Sequence, residues 1–354
     1  MSSLLLNLLL SLVQLAFNLR TDQQRPWRIT LVYLSALATV AVGAAGFLAI
    51  VFGEGSFGLA RLLAWAVFLH GTLACLLTAR RFGRSRPVGL FFSLAGSCLL
   101  VGIAIDAFLI EPHALEVNHV TLESRKISRP LRFVLVADIQ TDRVGEYEQR
   151  VMQAVMAQEP DAIFFAGDYI QLPGPTVIEE HRALAEVFEK VELAAPLGLF
   201  AVEGNTDSGP WQKIFERLDA HTFVRRETVE AGELSVTGLT CDQSFRPRLR
   251  VAPTDKYHIV LGHSPDFALG EIDADLLLAG HCHGGQVQLP FIGPLITLSK
   301  VPRSWAAGVT LVDEDTTLIV SRGIGMERYA APRLRFLCPP ELVVIDLLPI
   351  ASTE

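Results

Sequence analysis

LRFVLVADIQTD, residues 131–142, sets the fold: an apolar run broken only by Arg132 ends abruptly at Asp138. Such a run, bounded by polar residues, reads as a buried β-strand that delivers a carboxylate at its carboxyl end. The same figure returns four times downstream. AIFFA leads into Gly167 and Asp168, GLFAVE into Gly204 and Asn205, HIVL into Gly262 and His263, and LLLA into Gly280 and His281. Helical periodicity fills several of the gaps, around Val151, Val155 and Met156 and around Leu184, Val187 and Phe188, so the segment from Leu131 onward reads as α/β.

Ligands of open α/β sheets gather where strands end, so the repetition points to a site and not only to a fold. One Asp or His after a strand is an ordinary turn residue. Five metal-type side chains in order, four of them preceded by glycine, are not. The last, GHCHGG at residues 280–285, places His281 and His283 on either side of Cys282. A turn after Gly280 can aim both imidazoles at neighbouring ions. Imidazole mixed with carboxylate suits Zn, Mn or Fe better than a calcium cage. Cys282 reads as a small packing residue facing away from the ions.

Outward toward the N-terminus the composition changes. The mean hydropathy of the 354-residue chain is +0.37, and nearly all the apolar excess lies before His113. This predicts a membrane region at residues 1–112, with spans at about 29–52, 60–79 and 88–110, ahead of a polar domain at 113–354. Residues 3–19 carry an uncharged polar stripe, Ser3, Asn7, Ser11, Gln14 and Asn18, and read as an interfacial or spanning helix. Arg20, Arg25 and Arg28 precede the first clear span, and Arg80, Arg81, Arg84 and Arg86 separate the second from the third. The expectation is a multi-pass membrane protein with those arginines in the cytoplasm and the polar domain outside it.

The chain carries a net charge of −8 although the apolar region is net basic, so the polar domain is strongly acidic. That argues against nucleic acid and for a small or lipid-linked phosphate at the bilayer, with bound cations supplying the missing positive charge. Five cysteines, three of them in the polar domain (Cys241, Cys282 and Cys338), give no legible disulfide framework.

ADIQTD, GDYIQ, VEGNTD, LGHSPD and AGHCHGGQ, taken in that order, resemble the calcineurin-like metallophosphoesterase family. The resemblance runs from about Leu115 to Leu347. GHCHGGQVQLP, SRGIG and CPPE are similar to its membrane-anchored subgroup, which includes enzymes like the UDP-2,3-diacylglucosamine pyrophosphatases. The resemblance implies a sandwich of two β-sheets flanked by helices, preceded here by the all-α transmembrane region. It also implies two divalent ions, one held by Asp138, Gln140, Asp168 and His283, the other by Asp168, Asn205, His263 and His281. Asp168 bridges them, and the pair shares a hydroxide that attacks a phosphodiester or pyrophosphate bond. Asp168, Asn205, Thr206 and His281 are the residues on which catalysis is expected to rest.

Two positions depart from the family pattern. Gln140 stands where the family has His, and an amide oxygen is the weaker ligand. Thr206 stands where the family has the His of its GNH motif, and a threonine hydroxyl is no general acid near neutral pH. These departures motivate an alternative, a weak or inactive metal-binding sensor of a phosphorylated ligand. Asp142 is not expected to ligate and Asp207 is expected to orient its loop, while His181, His221 and His258 are the substitute acids to consider. A transporter reading finds no broken-helix pair.

Overall fold

The computed structural model describes residues 55–294 and 296–350. The segments 3–19 and 29–52, read above as membrane helices, lie outside the described residues. The chain divides into two compact units, one of residues 1–109 with 329–333 and the other of 110–328 with 334–354.

Among the described residues, two helices of or beginning in the first unit are long and apolar enough to cross a membrane, Phe57–Ser85 and Pro87–His113, the latter running on into the second unit. Both are longer than the predicted spans 60–79 and 88–110. The first runs through Arg80 and Arg81, because an arginine stem adds to a helix while its head reaches water, and it stops where Gly83 and Pro87 deny it further turns.

The second unit contains two six-stranded sheets. In one the spatial order is Glu116–Ser124, Glu341–Pro349, Leu131–Val136, Ala162–Phe165, Leu199–Val202 and Ala220–Phe223. In the other it is Gly308–Leu311, Thr317–Val320, Leu276–Ala279, Tyr257–Leu261, Leu234–Gly238 and Glu227–Ala231. Alternation along each strand sorts side chains between layers. Phe133, Leu135, Phe164 and Phe200 of the first sheet meet Val236, Ile259, Leu261 and Leu278 of the second in the central core. Val134, Val136, Ile163 and Phe165 face the other way, onto Val151 and Met152 of helix Glu146–Met156 and Leu184 and Phe188 of helix Val177–Lys190. The outer face of the second sheet buries Val260, Leu277, Leu318 and Val320 against Phe267 and Ala306.

This sandwich brings the functional side chains to one edge. Asp138, Asp168 and Asn205 follow three neighbouring strands of the first sheet, while His263 and the His281–His283 pair follow two neighbouring strands of the second. All of those strands are parallel to their neighbours within the group, so their carboxyl ends fall on the same side.

Candidate metal centre

Asp138, Asp168 and His263, all buried, each offer a ligand atom within 4.8 Å of the others. Their loops are held in costly conformations. Asp138, Gln140, Asp168, His281 and His283 all have positive φ, between 38° and 67°. For residues with a side chain this is the sparsely populated left-handed region, and its concentration here marks a site whose surroundings over-determine it. The approach of the loops is equally tight: a Cβ on Gly204 would stand 2.1 Å from Asp168 Oδ1, so only glycine fits.

The protons define what the cluster can hold. His263 Nδ1 donates to the Ala166 carbonyl at 2.8 Å, which leaves Nε2 with a lone pair. That lone pair faces Asn205 Oδ1 at 2.8 Å and Asp168 Oδ2 at 3.5 Å. Burial lowers the imidazole to about 4, so at neutral pH it carries no proton to share. Turning the Asn205 amide over would pair that atom and still leave the carboxylate facing the lone pair. Three metal-type side chains thus converge on one buried point, where a cation could replace the shared protons and satisfy them together.

The carboxylates tell the same story. Asp168 is pushed up to about 7 by burial, and Asp138 is raised well above its usual range by burial and then by Asp168. Both oxygens of Asp138 accept the His281 backbone N–H, at 2.9 and 3.0 Å. Arg335, fully buried and bonded to the carbonyls of Arg322, Gly323, Gly325 and Cys338, draws Asp138 down but not enough to offset burial. A divalent ion would reverse the electrostatics that keep these carboxyls protonated.

The remaining predicted residues sit around this cluster. The His281 ring packs against that of His263 with centroids 5.0 Å apart, and its Nε2 donates to the Leu298 carbonyl at 3.1 Å. Gln140 lies alongside, its backbone N–H donating to the Asp168 carbonyl at 2.8 Å, with its side-chain Oε1 buried and unpartnered. His283 is buried, with Nδ1 likewise unpartnered. Such orphaned buried acceptors are rare and call for an explanation, and a bound cation supplies one. Thr206 donates its backbone N–H to Asp168 Oδ1 at 2.8 Å, and its buried hydroxyl lies beside the same carboxylate.

Asp207 orients the loops: it accepts from the backbone N–H groups of Asp168 and Tyr169 and of Gly204, at 2.7–2.9 Å, and so ties two ligand-bearing loops together. Asp142 stands 3.8 Å from Arg328 Nε. Cys282 packs in the apolar layer behind the second sheet, and all five cysteines are free thiols. The substitute acids are engaged or placed elsewhere. His221 pairs with Glu227 at 3.2 Å, His258 bonds Thr237 and the Asp273 carbonyl near the start of its strand, and His181 is buried on helix Val177–Lys190.

The segment 321–338, which also contributes Glu327, was missed by sequence reasoning as part of the site. Its Gly325 donates to the Asp138 carbonyl at 2.7 Å, and Glu327 stands near enough to raise both Asp138 and Asp168. SRGIG at its start was the available signal.

Residues 131–285 match the model of the calcineurin-like phosphoesterase family. The uncharacterised metallophosphoesterase YkuE of Bacillus subtilis is 29% identical over 280 residues, covering 73% of this chain and 95% of its own length. The uncharacterised metallophosphoesterase Cj0846 of Campylobacter jejuni is 27% identical over 269 residues, 71% of this chain and 67% of its own. Phosphodiesterase YaeI of Escherichia coli is 27% identical over 237 residues, 62% of this chain and 83% of its own. Residues 131–285 thus match a calcineurin-like phosphoesterase domain, and that match with relatives named metallophosphoesterase and phosphodiesterase supports a hydrolase acting on phosphoester bonds.

Proposed function

We propose that the protein hydrolyses a phosphodiester or pyrophosphate bond with two divalent ions, Mn, Zn or Fe. One would be held by Asp138, Gln140, Asp168 and His283, the other by Asp168, Asn205, His263 and His281. The observation that carries this reading is the convergence of buried Asp138, Asp168 and His263, whose ligand atoms all lie within 4.8 Å of one another. When bound, such a pair of ions supplies Lewis acidity, making water a nucleophile at neutral pH and neutralising phosphate oxygens.

The chain's own residues do the rest. Asp168 serves both ions, and Asp207 and the Thr206 N–H hold its loop and one of its oxygens in place. Asn205 is exposed at the mouth, where it can meet substrate. Thr206 can donate a hydrogen bond and cannot release a proton to a leaving alkoxide near neutral pH, which favours substrates whose leaving group departs without one.

A membrane-borne substrate is supported by the two apolar helices and by a surface beside the site. Leu298, whose carbonyl accepts from His281, belongs to a stretch that exposes Phe291, Ile292, Ile296 and Leu298, an apolar ridge suited to lipid. We place the arginine-rich loops in the cytoplasm and this domain outside. Protease added to intact cells should then cut the domain; cutting only after lysis would reverse the orientation.

Chelation and Asp168→Asn should each abolish hydrolysis of bis(p-nitrophenyl) phosphate while the domain stays folded by circular dichroism. Full activity in either would refute the reading. Metal binding without turnover on any phosphodiester or pyrophosphate would favour the second reading, a phospho-ligand sensor, to which Gln140 and Thr206 lend weight.

A further inference from the structure

A glutamine side chain is an ambiguous ligand, because its oxygen and its nitrogen differ little in shape and only the oxygen can bind a cation. At Gln140 a chain of hydrogen bonds resolves the ambiguity. Glu327 Oε2, a carboxylate oxygen, accepts from Gln171 Nε2 at 2.8 Å. The backbone N–H of Arg328, which can only donate, gives its proton to Gln171 Oε1 at 2.6 Å. With a fixed acceptor at one end and a fixed donor at the other, Gln171 has one orientation. Its Oε1 then accepts Gln140 Nε2 at 3.2 Å, and Gln140 Oε1 is the atom left over, buried and unpartnered. Reversing Gln140 would set oxygen against oxygen.

Gln140 and Gln171 are buried, at 0% and 4% exposure, so water has little access to the Gln140–Gln171 bond, while Glu327 is half-buried at the outer end of the chain. It also connects to the loop that carries His283. The backbone N–H of Glu327 donates to Gln286 Oε1 at 2.9 Å, three residues beyond His283, and Arg328 Nε donates to the Gln140 carbonyl at 2.8 Å.

We propose that Gln171 and Glu327 are positioning residues that hold Gln140 with its oxygen toward the first ion, making that site richer in oxygen than the His263 site and selective for a hard ion such as Mn²⁺ over Zn²⁺. This rests on the two-ion reading above. Residues beyond the ligands that set a ligand's orientation typically govern metal affinity by about 10- to 100-fold.

The test is a Mn²⁺ titration of the full-length protein in detergent, with free Mn²⁺ read by electron paramagnetic resonance. Glu327→Ala should weaken the weaker ion by about 10- to 100-fold and leave the tighter one nearly unchanged. Glu327→Gln, which keeps an acceptor oxygen, should restore most of the affinity. Gln171→Met, matched in size and without a donor, should reproduce the loss with melting close to wild type. In a Gln140→Ala background, Glu327→Ala should cost nothing more, because both changes remove one function. An unchanged weaker site in both Glu327→Ala and Gln171→Met would overturn the proposal, as would a full additional loss in the double variant. Wild-type protein that binds no ion would instead overturn the two-ion reading itself, so the two failures are distinguishable.

Discussion

The two halves of the proposed metal centre are built differently. Around His263 the candidate ligand atoms already converge: Nε2 stands 2.8 Å from Asn205 Oδ1 and 3.5 Å from Asp168 Oδ2, and the ring is locked by the Ala166 carbonyl. Around Gln140 the atoms wait apart, with Gln140 Oε1 and His283 Nδ1 each buried and unpartnered. The first half is made by strand ends alone. The second leans on a loop from the far end of the domain, through Glu327 and Arg328. On the two-ion proposal, the halves would bind with unequal strength, and the weaker half is the one open to adjustment.

The comparison breaks most visibly by removing a ligand from each half. His263→Ala and His283→Ala should each lose about one metal equivalent by elemental analysis, from different halves, and each should lower turnover by about 10³-fold, the loss of several kcal/mol of charge stabilisation. Loss of both ions from His283→Ala would mean that the halves are not separable.

A second test concerns Thr206, which lies beside the converged half. A positioned general acid is worth about 10²- to 10⁴-fold. Wild-type protein should therefore cleave aryl or pyrophosphate substrates far faster than alkyl esters, and Thr206→His should narrow the gap. Comparable rates on both substrate types in the wild type would show that another acid is at work.

Gln140→His sharpens the comparison from the other side. It replaces an amide oxygen by an imidazole nitrogen, and should tighten Zn²⁺ at the weaker half by about tenfold or more. An unchanged affinity would remove Gln140 from the ligand set.

Protons give the mildest test. With Asp168 pushed up to about 7 and Asp138 also raised, the metal-free protein holds carboxyl protons that an incoming ion must expel. Affinity should fall as pH drops below about 7, roughly tenfold per unit for each proton released, and level off above. His263, lowered to about 4, and His281, lowered to about 3, add no competition until far more acid conditions. Calorimetry in buffers of different ionisation enthalpy counts the protons; none released at about pH 6 would contradict the carboxyl assignment.

What could be read in advance follows the same division. Asp138, Asp168, Asn205, His263 and His281 were legible because each follows an apolar strand directly, so position in sequence fixes position at the rim. Glu327 was not, because its partner Gln171 lies 156 residues away and neither follows a strand in that pattern. The strand Glu116–Ser124 escaped for a related reason. It is half exposed, and it pairs in parallel with Glu341–Pro349 at the other end of the domain, a match no local pattern announces. In the helical unit, among the described residues, helix Phe57–Ser85 runs past the predicted span 60–79, because arginine stems extend a helix that hydropathy alone would close.

The central claim is that two unequal ions act together, and turnover measured against metal loading tests it most directly. Metal-free protein is titrated with Mn²⁺ while hydrolysis of bis(p-nitrophenyl) phosphate is followed at each point. The account predicts little turnover through the first equivalent and a rise that tracks the filling of the second, weaker site. Turnover complete at one equivalent, or already present without metal, would contradict it.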